Sequence, residues 1–170
     1  TIAVAMGRGT TDPAAVPLTG APLVDGPIRA GDVELAAVAV GVGNPHCVCF
    51  RDGPLDEEPW RAWGAALEVH PRFPNRTNVQ FARVIDRSTV EIRIWERGAG
   101  ETSASGSSSC AVAFAAVHTG RCDAGRITVH MPGGELFVTV DPSGELLLEG
   151  PVEVVGRIHI APGWAWGRQD

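Results

Sequence analysis

The run Cys110-Ala-Val-Ala-Phe-Ala-Ala-Val117 is apolar on every side of the helix it would form, and it follows directly on a loop of glycines and serines. Such a helix has no polar face to turn toward water, so the rest of the chain must enclose it. Gly120 then ends it as the residue after the C-cap. The cover has to come from stretches that alternate with period two. Asn78 to Val84 and Val90 to Trp95 do so around Asp86-Arg-Ser88 and predict a hairpin with one wet face. Val33 to Val40 and Cys47 to Phe50 are two further apolar runs, with Gly41-Val-Gly-Asn-Pro-His46 turning between them. Ile127 to Met131, Leu136 to Val140, Leu146 to Glu149 and Val152 to Ile160 read as a meander joined by short turns, which makes those strands antiparallel. Trp60, Trp63 and Leu67 recur at helical spacing from Asp56 to about His70, with Asp56 as a plausible N-cap and Pro59 in the first turn. Gly7 to Asp32 reads as a loop with short extended pieces at most. The expected fold class is α+β: a curved antiparallel or mixed sheet, barrel-like, wrapped around a central apolar helix.

With 170 residues, 44% of them apolar, one well-buried domain is expected over 1–170. A net charge of −6 with no clustered cationic surface argues against nucleic acid as a partner. No stretch approaches the roughly 20 apolar residues a bilayer span needs, and no signal peptide is visible, so no membrane partner and a cytoplasmic location are expected. The chain contains no lysine; all 14 cationic side chains are arginine. Pyridoxal phosphate is held on enzymes by a lysine Schiff base, so any amino-acid chemistry here is expected to need no cofactor, or another chain's lysine. Cys47, Cys49, Cys110 and Cys122 form no C-x-x-C pair and read as buried free thiols. His46, His70, His118, His130 and His159 show no metal spacing, and His46 alone is expected to line a site. Thr1 to Met6 already alternates like a strand. Domains seldom start mid-strand, so an upstream segment carrying part of any active site is expected.

The loop Gly98 to Ser109 runs into the buried helix, whose first N–H groups have no internal partners and can bind an anion. Gly106 permits close approach of a ligand. The alternative is a serine-capped helix with water at its end. A phosphate-loop reading fails for want of a lysine, and a serine-hydrolase reading is weak because Ser105 is not in G-x-S-x-G. Trp95-Glu96-Arg97 ends a strand beside this loop, by default as an ion pair of little energetic weight. Asn44, Asn78 and Arg97 are donors suited to carboxylates, and the amide oxygens suit an ammonium group.

On these residues the chain resembles the diaminopimelate epimerase family over nearly its whole length. The motifs are Gly43-Asn-Pro-His46, Phe73-Pro-Asn-Arg-Thr-Asn-Val79, Val84-Ile-Asp-Arg87, Trp95-Glu-Arg-Gly98, Gly100-Glu-Thr102 and Met131-Pro-Gly-Gly134. The resemblance implies a cofactor-independent amino-acid epimerase that converts LL- to meso-diaminopimelate in lysine biosynthesis, built from two lobes that each supply one cysteine. It implies that this chain is the carboxyl-terminal lobe, inactive without an amino-terminal lobe as partner. The substrate is a small amino acid, and the exposed inter-lobe face offers a surface for a homodimer. By motif, Asn44, Asn78 and Arg97 would contact the substrate's distal end, Glu96 its amino groups, and Gly106 and Ser107 the carboxylate at the reacting carbon. Where the family's pattern has the catalytic cysteine, this chain has Ser105, the expected catalytic position, while Cys110 matches a non-catalytic one. An engineered change would explain Ser105 but not Ser107 to Ser109. A natural relative that binds the usual ligand, or runs one-base or serine-assisted isomerisation on another substrate, is the other explanation. The rival readings are a relative of the phenazine-biosynthesis isomerases and a non-catalytic amino-acid-binding protein.

Overall fold

In the computed structural model, which describes residues 1–57 and 59–159, the alternating stretches pair into one mixed sheet. Its strands are β1 (Ile2–Arg8), β2 (Gly26–Ala30), β3 (Val33–Gly41), β4 (Pro45–Phe50), β5 (Asn78–Asp86), β6 (Thr89–Glu96), β7 (Gly100–Thr102), β8 (Gly125–Met131), β9 (Gly134–Val140) and β10 (Glu145–Gly150). Among the described residues the order across the sheet is β1-β10-β9-β8-β6-β5-β4-β3-β2, with β7 paired to β6 off that path. Local chemistry makes the hairpins. Between β5 and β6 the Asp86 carboxylate accepts from the Ser88 N–H at 2.7 Å and the Ser88 hydroxyl at 2.9 Å, closing the expected turn. Between β9 and β10, Asp141 does the same for Ser143 and also accepts the Glu145 N–H.

Two neighbouring pairs are parallel, β4 with β5 and β6 with β8. Each therefore needs a crossover, and each crossover carries a helix: α1 (Trp60–Glu68) in the first, α2 (Gly106–His118) in the second. Both crossovers step the same way across the sheet, but β6 runs antiparallel to β5. The right-handed rule for such connections then sends the two helices to opposite faces. The apolar residues agree. Val38, Val40, Val48, Ala82, Val90, Ile92 and Ile94 pack with α2, whereas Ala37, Ala39, Cys47, Cys49, Val79 and Phe81 pack with Trp60 and Leu67 of α1. Successive residues of β3, β4 and β5 thus enter different cores, the period-two rule applied to strands buried on both sides.

This corrects the expected barrel-like sheet wrapped around a central helix. The sheet is open, with β1 and β2 as its edges, and it does not close. The reason is the second core: apolar side chains on both faces of the central strands call for cover on both sides, which an enclosure around α2 alone would not provide. Residues Cys110 to Ala116 of α2 are buried all round, as their composition requires. Helix α1 begins later than expected. Asp56 lies in a separate 3₁₀ turn (Leu55–Glu57) and pairs with Arg93, and Pro59 takes the N-cap position without a side-chain cap. The expected last strand is absent from 152–159, and Ile160 falls outside the described residues. The segment read as a loop contains the end of β1 and all of β2. No helix among the described residues is long and apolar enough to cross a membrane.

Candidate functional site

Ser105 is the N-cap of α2. Its backbone is extended (φ −156°, ψ 123°), and its Oγ accepts a long hydrogen bond of 3.4 Å from the Ser108 N–H. Its carbonyl accepts from the Ser109 N–H at 3.1 Å and the Ser109 hydroxyl at 2.8 Å. These bonds leave the N–H groups of Gly106 and Ser107, the first two of the helix, without acceptors inside it. Both residues are half-buried. A Cβ on Gly106 would come within 2.8 Å of Leu148, so glycine lets the chain enter the helix hard against β10. Ser108 and Ser109 are structural, one bonded to the sheet and one to the cap.

The bond to the sheet is made by Gln80, whose amide lies 3.0 Å from the Ser108 Oγ. Gln80 is completely buried and sits on β5 two residues after Asn78, so both point to the α2 face. His46 pairs in register with Asn78 on the adjacent strand and shares that face. The His46 Nε2 is 2.8 Å from the Asn44 Oδ1; a carbonyl oxygen can only accept, so Nε2 carries the proton. Burial pushes the His46 imidazole down to about 3, aided by the positive charge of Arg97 and opposed by the neighbouring Gln80 side chain, so the ring is neutral. Asn78 donates to the Pro45 carbonyl at 3.0 Å and accepts the Arg97 N–H at 3.0 Å, joining β4, β5 and the end of β6. The Arg97 guanidinium is exposed and donates to the Asn75 carbonyl at 3.1 Å. Glu96 has the parity of Ile92 and Ile94 and so lies on the α2 side of β6.

One organising group has no counterpart in the sequence-based site. Glu68, the last residue of α1, reaches the strand ends from the opposite face. Its carboxylate accepts from the Trp95 indole at 2.8 Å, the Gly98 N–H at 2.9 Å and the Arg76 guanidinium at 3.2 Å. Burial pushes this carboxyl up, but the bonds from Trp95 and Gly98 and the charge of Arg76 outweigh it and hold it below the usual carboxylate range. The thiol of Cys110 is pushed up to about 12 by burial, which makes it an inert core residue. No group of three or more His, Cys, Asp or Glu among the described residues is arranged to hold a metal.

The helix N-terminus therefore opens on the same side of the sheet as Asn44 and Asn78, and Arg97 stands at the adjoining strand end. Residues 38–155 match the model of the family described as Diaminopimelate epimerase. The chain belongs to that family. It is 44% identical over 158 residues to the diaminopimelate epimerase of Desulforudis audaxviator (strain MP104C), covering 91% of this chain and 56% of that protein. It is 38% identical over 159 residues to the enzyme of the same name from Pelotomaculum thermopropionicum, covering 91% and 55%. Among solved structures, a predicted epimerase from Pseudomonas aeruginosa superposes with a TM-score of 0.50 at 17% identity, over 91% of this chain and 58% of that one, a likeness of fold alone. The chain thus spans about half the length of these curated relatives.

Of the residues singled out in the sequence, the structure bonds Asn44 to His46 and Asn78 to the Arg97 N–H, links the two pairs where Asn78 donates to the Pro45 carbonyl, and places Ser105, Gly106 and Ser107 at the mouth of α2. Glu96 enters none of the hydrogen bonds that define this cluster. Gln80 was legible in principle, as a polar residue at an inward position of an apolar strand. Glu68 was not, because its partners are 8, 27 and 30 residues away. A cleft of about 610 Å³ lies at the other end of α2, lined by Arg8, Thr10, Phe114 and His118, away from these residues.

Proposed function

We propose that this chain is the carboxyl-terminal lobe of a cofactor-independent amino-acid epimerase that removes and returns a proton α to a carboxylate, with diaminopimelate as substrate. The observation that carries this reading is the placing of the free amides of Gly106 and Ser107 on the same side of the sheet as Asn44 and Asn78, with Gln80 tying the two together through Ser108. Removing an α-proton puts negative charge on the substrate carboxylate. Backbone N–H groups at a helix N-terminus stabilise that charge without having to reorganise. Asn44, Asn78, Glu96 and Arg97 would hold the far end of the substrate, so that the reacting carbon faces Ser105.

At Ser105 the chemistry changes. A serine hydroxyl is a poor base near neutrality, and its Oγ already accepts from the Ser108 N–H. One lone pair and the O–H remain, and so weak a base can donate a proton or a hydrogen bond but cannot readily abstract one. Ser105 then gives its proton to one face of the carbanion and takes another from solvent, and the abstracting base, which releases the α-proton to solvent, belongs to the amino-terminal lobe. The same capping bond also favours a second reading, in which the lobe binds amino acids without turning them over. Full-length protein incubated with diaminopimelate in deuterium oxide separates the two. Deuterium at the α-carbon supports the epimerase, and Ser105→Cys should raise the rate of exchange. Binding without exchange in either protein supports the binding reading, and neither binding nor exchange eliminates diaminopimelate as the ligand.

A further inference from the structure

Helix α1 lies on the face of the sheet opposite α2, yet it touches the strand ends that carry the proposed distal contacts. We infer that Glu68 is a positioning residue for that substrate subsite, a claim that rests on the proposed function. Four hydrogen bonds converge on it. Its carboxylate holds the Trp95 indole and the Gly98 N–H, the residues that bracket Glu96 and Arg97. It also holds the Arg76 guanidinium, and its carbonyl accepts the Thr77 N–H at 3.1 Å, so the turn leading into Asn78 is gripped as well. The two gripped segments meet where the Arg97 N–H donates to Asn78.

The packing of α1 supports the same role independently. Gly64 precedes Glu68 by one helical turn on the same face, and a Cβ there would stand 2.8 Å from the Trp95 Cβ and 2.9 Å from its Cγ. Glycine opens the space for the indole to lie against α1, and the carboxylate one turn on receives its N–H. The Glu68 side chain is only 11% exposed. A buried carboxylate needs several donors to stay charged, and here every donor belongs to a segment that frames Arg97 or Asn78. Arg97 lies at a strand end where backbone geometry would otherwise fray; the Glu68 clamp fixes the direction from which its guanidinium and the Glu96 carboxylate leave the sheet.

The test uses the full-length protein, both lobes included, labelled with nitrogen-15, and its variant Glu68→Gln, which keeps the size but offers one acceptor in place of two. The variant should keep slow hydrogen exchange along Cys110 to Ala116, shift the Trp95 indole resonance, and lose protection at the Arg97 amide. Its affinity for diaminopimelate should fall about tenfold, the equivalent of one charge-assisted hydrogen bond. An Arg97 amide and an affinity that both match the parent overturn the inference. If the full-length parent, with both lobes, binds no diaminopimelate, the reading of diaminopimelate as substrate fails, while the Arg97 amide still decides whether Glu68 holds the strand end. If Glu68→Gln does not fold, the parent chain decides by pH titration. The Trp95 indole and Gly98 amide should then shift with one common midpoint below the usual carboxylate range, and unlinked midpoints overturn the clamp.

Discussion

Lowering the pH from about 7 to about 5 should destabilise this chain through a single buried ring. His46 is fully buried, its Nε2–H is committed to Asn44, and its imidazole is pushed from 6.5 to about 3. In the unfolded chain the same ring takes up a proton near 6.5. Between those values the unfolded state binds more protons than the folded one, so stability is fully present above 6.5 and is lost as the pH falls. Worked from these two values, the loss at pH 5 is about 2 kcal/mol relative to neutrality. In a domain of this size that corresponds to a drop in Tm of roughly 4–8 °C. His70 is also lowered by partial burial and adds to the slope with the same sign. The comparison that isolates His46 is therefore His46→Gln, followed by urea denaturation at several pH values between 5 and 7. The variant starts less stable but should show a much flatter slope. Equal slopes in the two proteins, or a His46 ring resonance that titrates near 6.5 in the folded chain, would refute the reasoning. Carboxylates held low, such as Glu68 and Asp141, enter only at lower pH and do not confuse this window.

Two further substitutions test packing and capping. Gly64→Ala gains about 1 kcal/mol of helix propensity but drives a methyl group into Trp95, an overpacking cost of about 1–3 kcal/mol; the urea midpoint should fall, and a rise would show that α1 can back away from the indole. Ser105→Ala removes the cap of α2 and should cost about 0.5–1 kcal/mol in thermal or chemical denaturation, toward the low end because the bond is long; an unchanged midpoint would mean that the hydroxyl does not cap the helix in solution.

How much of this was legible beforehand depends on the range of the interaction. The apolar helical run from Cys110 to Val117 and the hairpin of β5 and β6 follow from patterns within a dozen residues, and the structure has both, although the helix begins earlier, at Gly106, inside the stretch expected as a loop. The capping of α2 by Ser105 and the turn at Asp86 to Ser88 are likewise local. The misreadings concern partners far apart in the chain. Asp56 looked like a helix cap and instead pairs with Arg93, 37 residues on, because a two-pronged carboxylate–guanidinium contact across the sheet displaces a single backbone bond. The buried stripe of α1, expected from the spacing of Trp60, Trp63 and Leu67, is present, but which strands it packs on was not legible: it covers the apolar side chains on the far side of β3, β4 and β5 and makes a second core with them.

The sequence alone determined that a helix with no polar side had to be buried, that a loop of glycines and serines led into it, and that no lysine was present to anchor pyridoxal phosphate. Periodicity and composition suffice for such statements because they rest on neighbours along the chain. Tertiary structure decided that the sheet stays open with a helix on each face, and that Gln80 meets Ser108 while Glu68 meets Trp95 and Gly98. Those contacts exist only once parallel strands have been brought together by long crossovers, and the direction of each crossover is set by the twist of the sheet rather than by any residue in it.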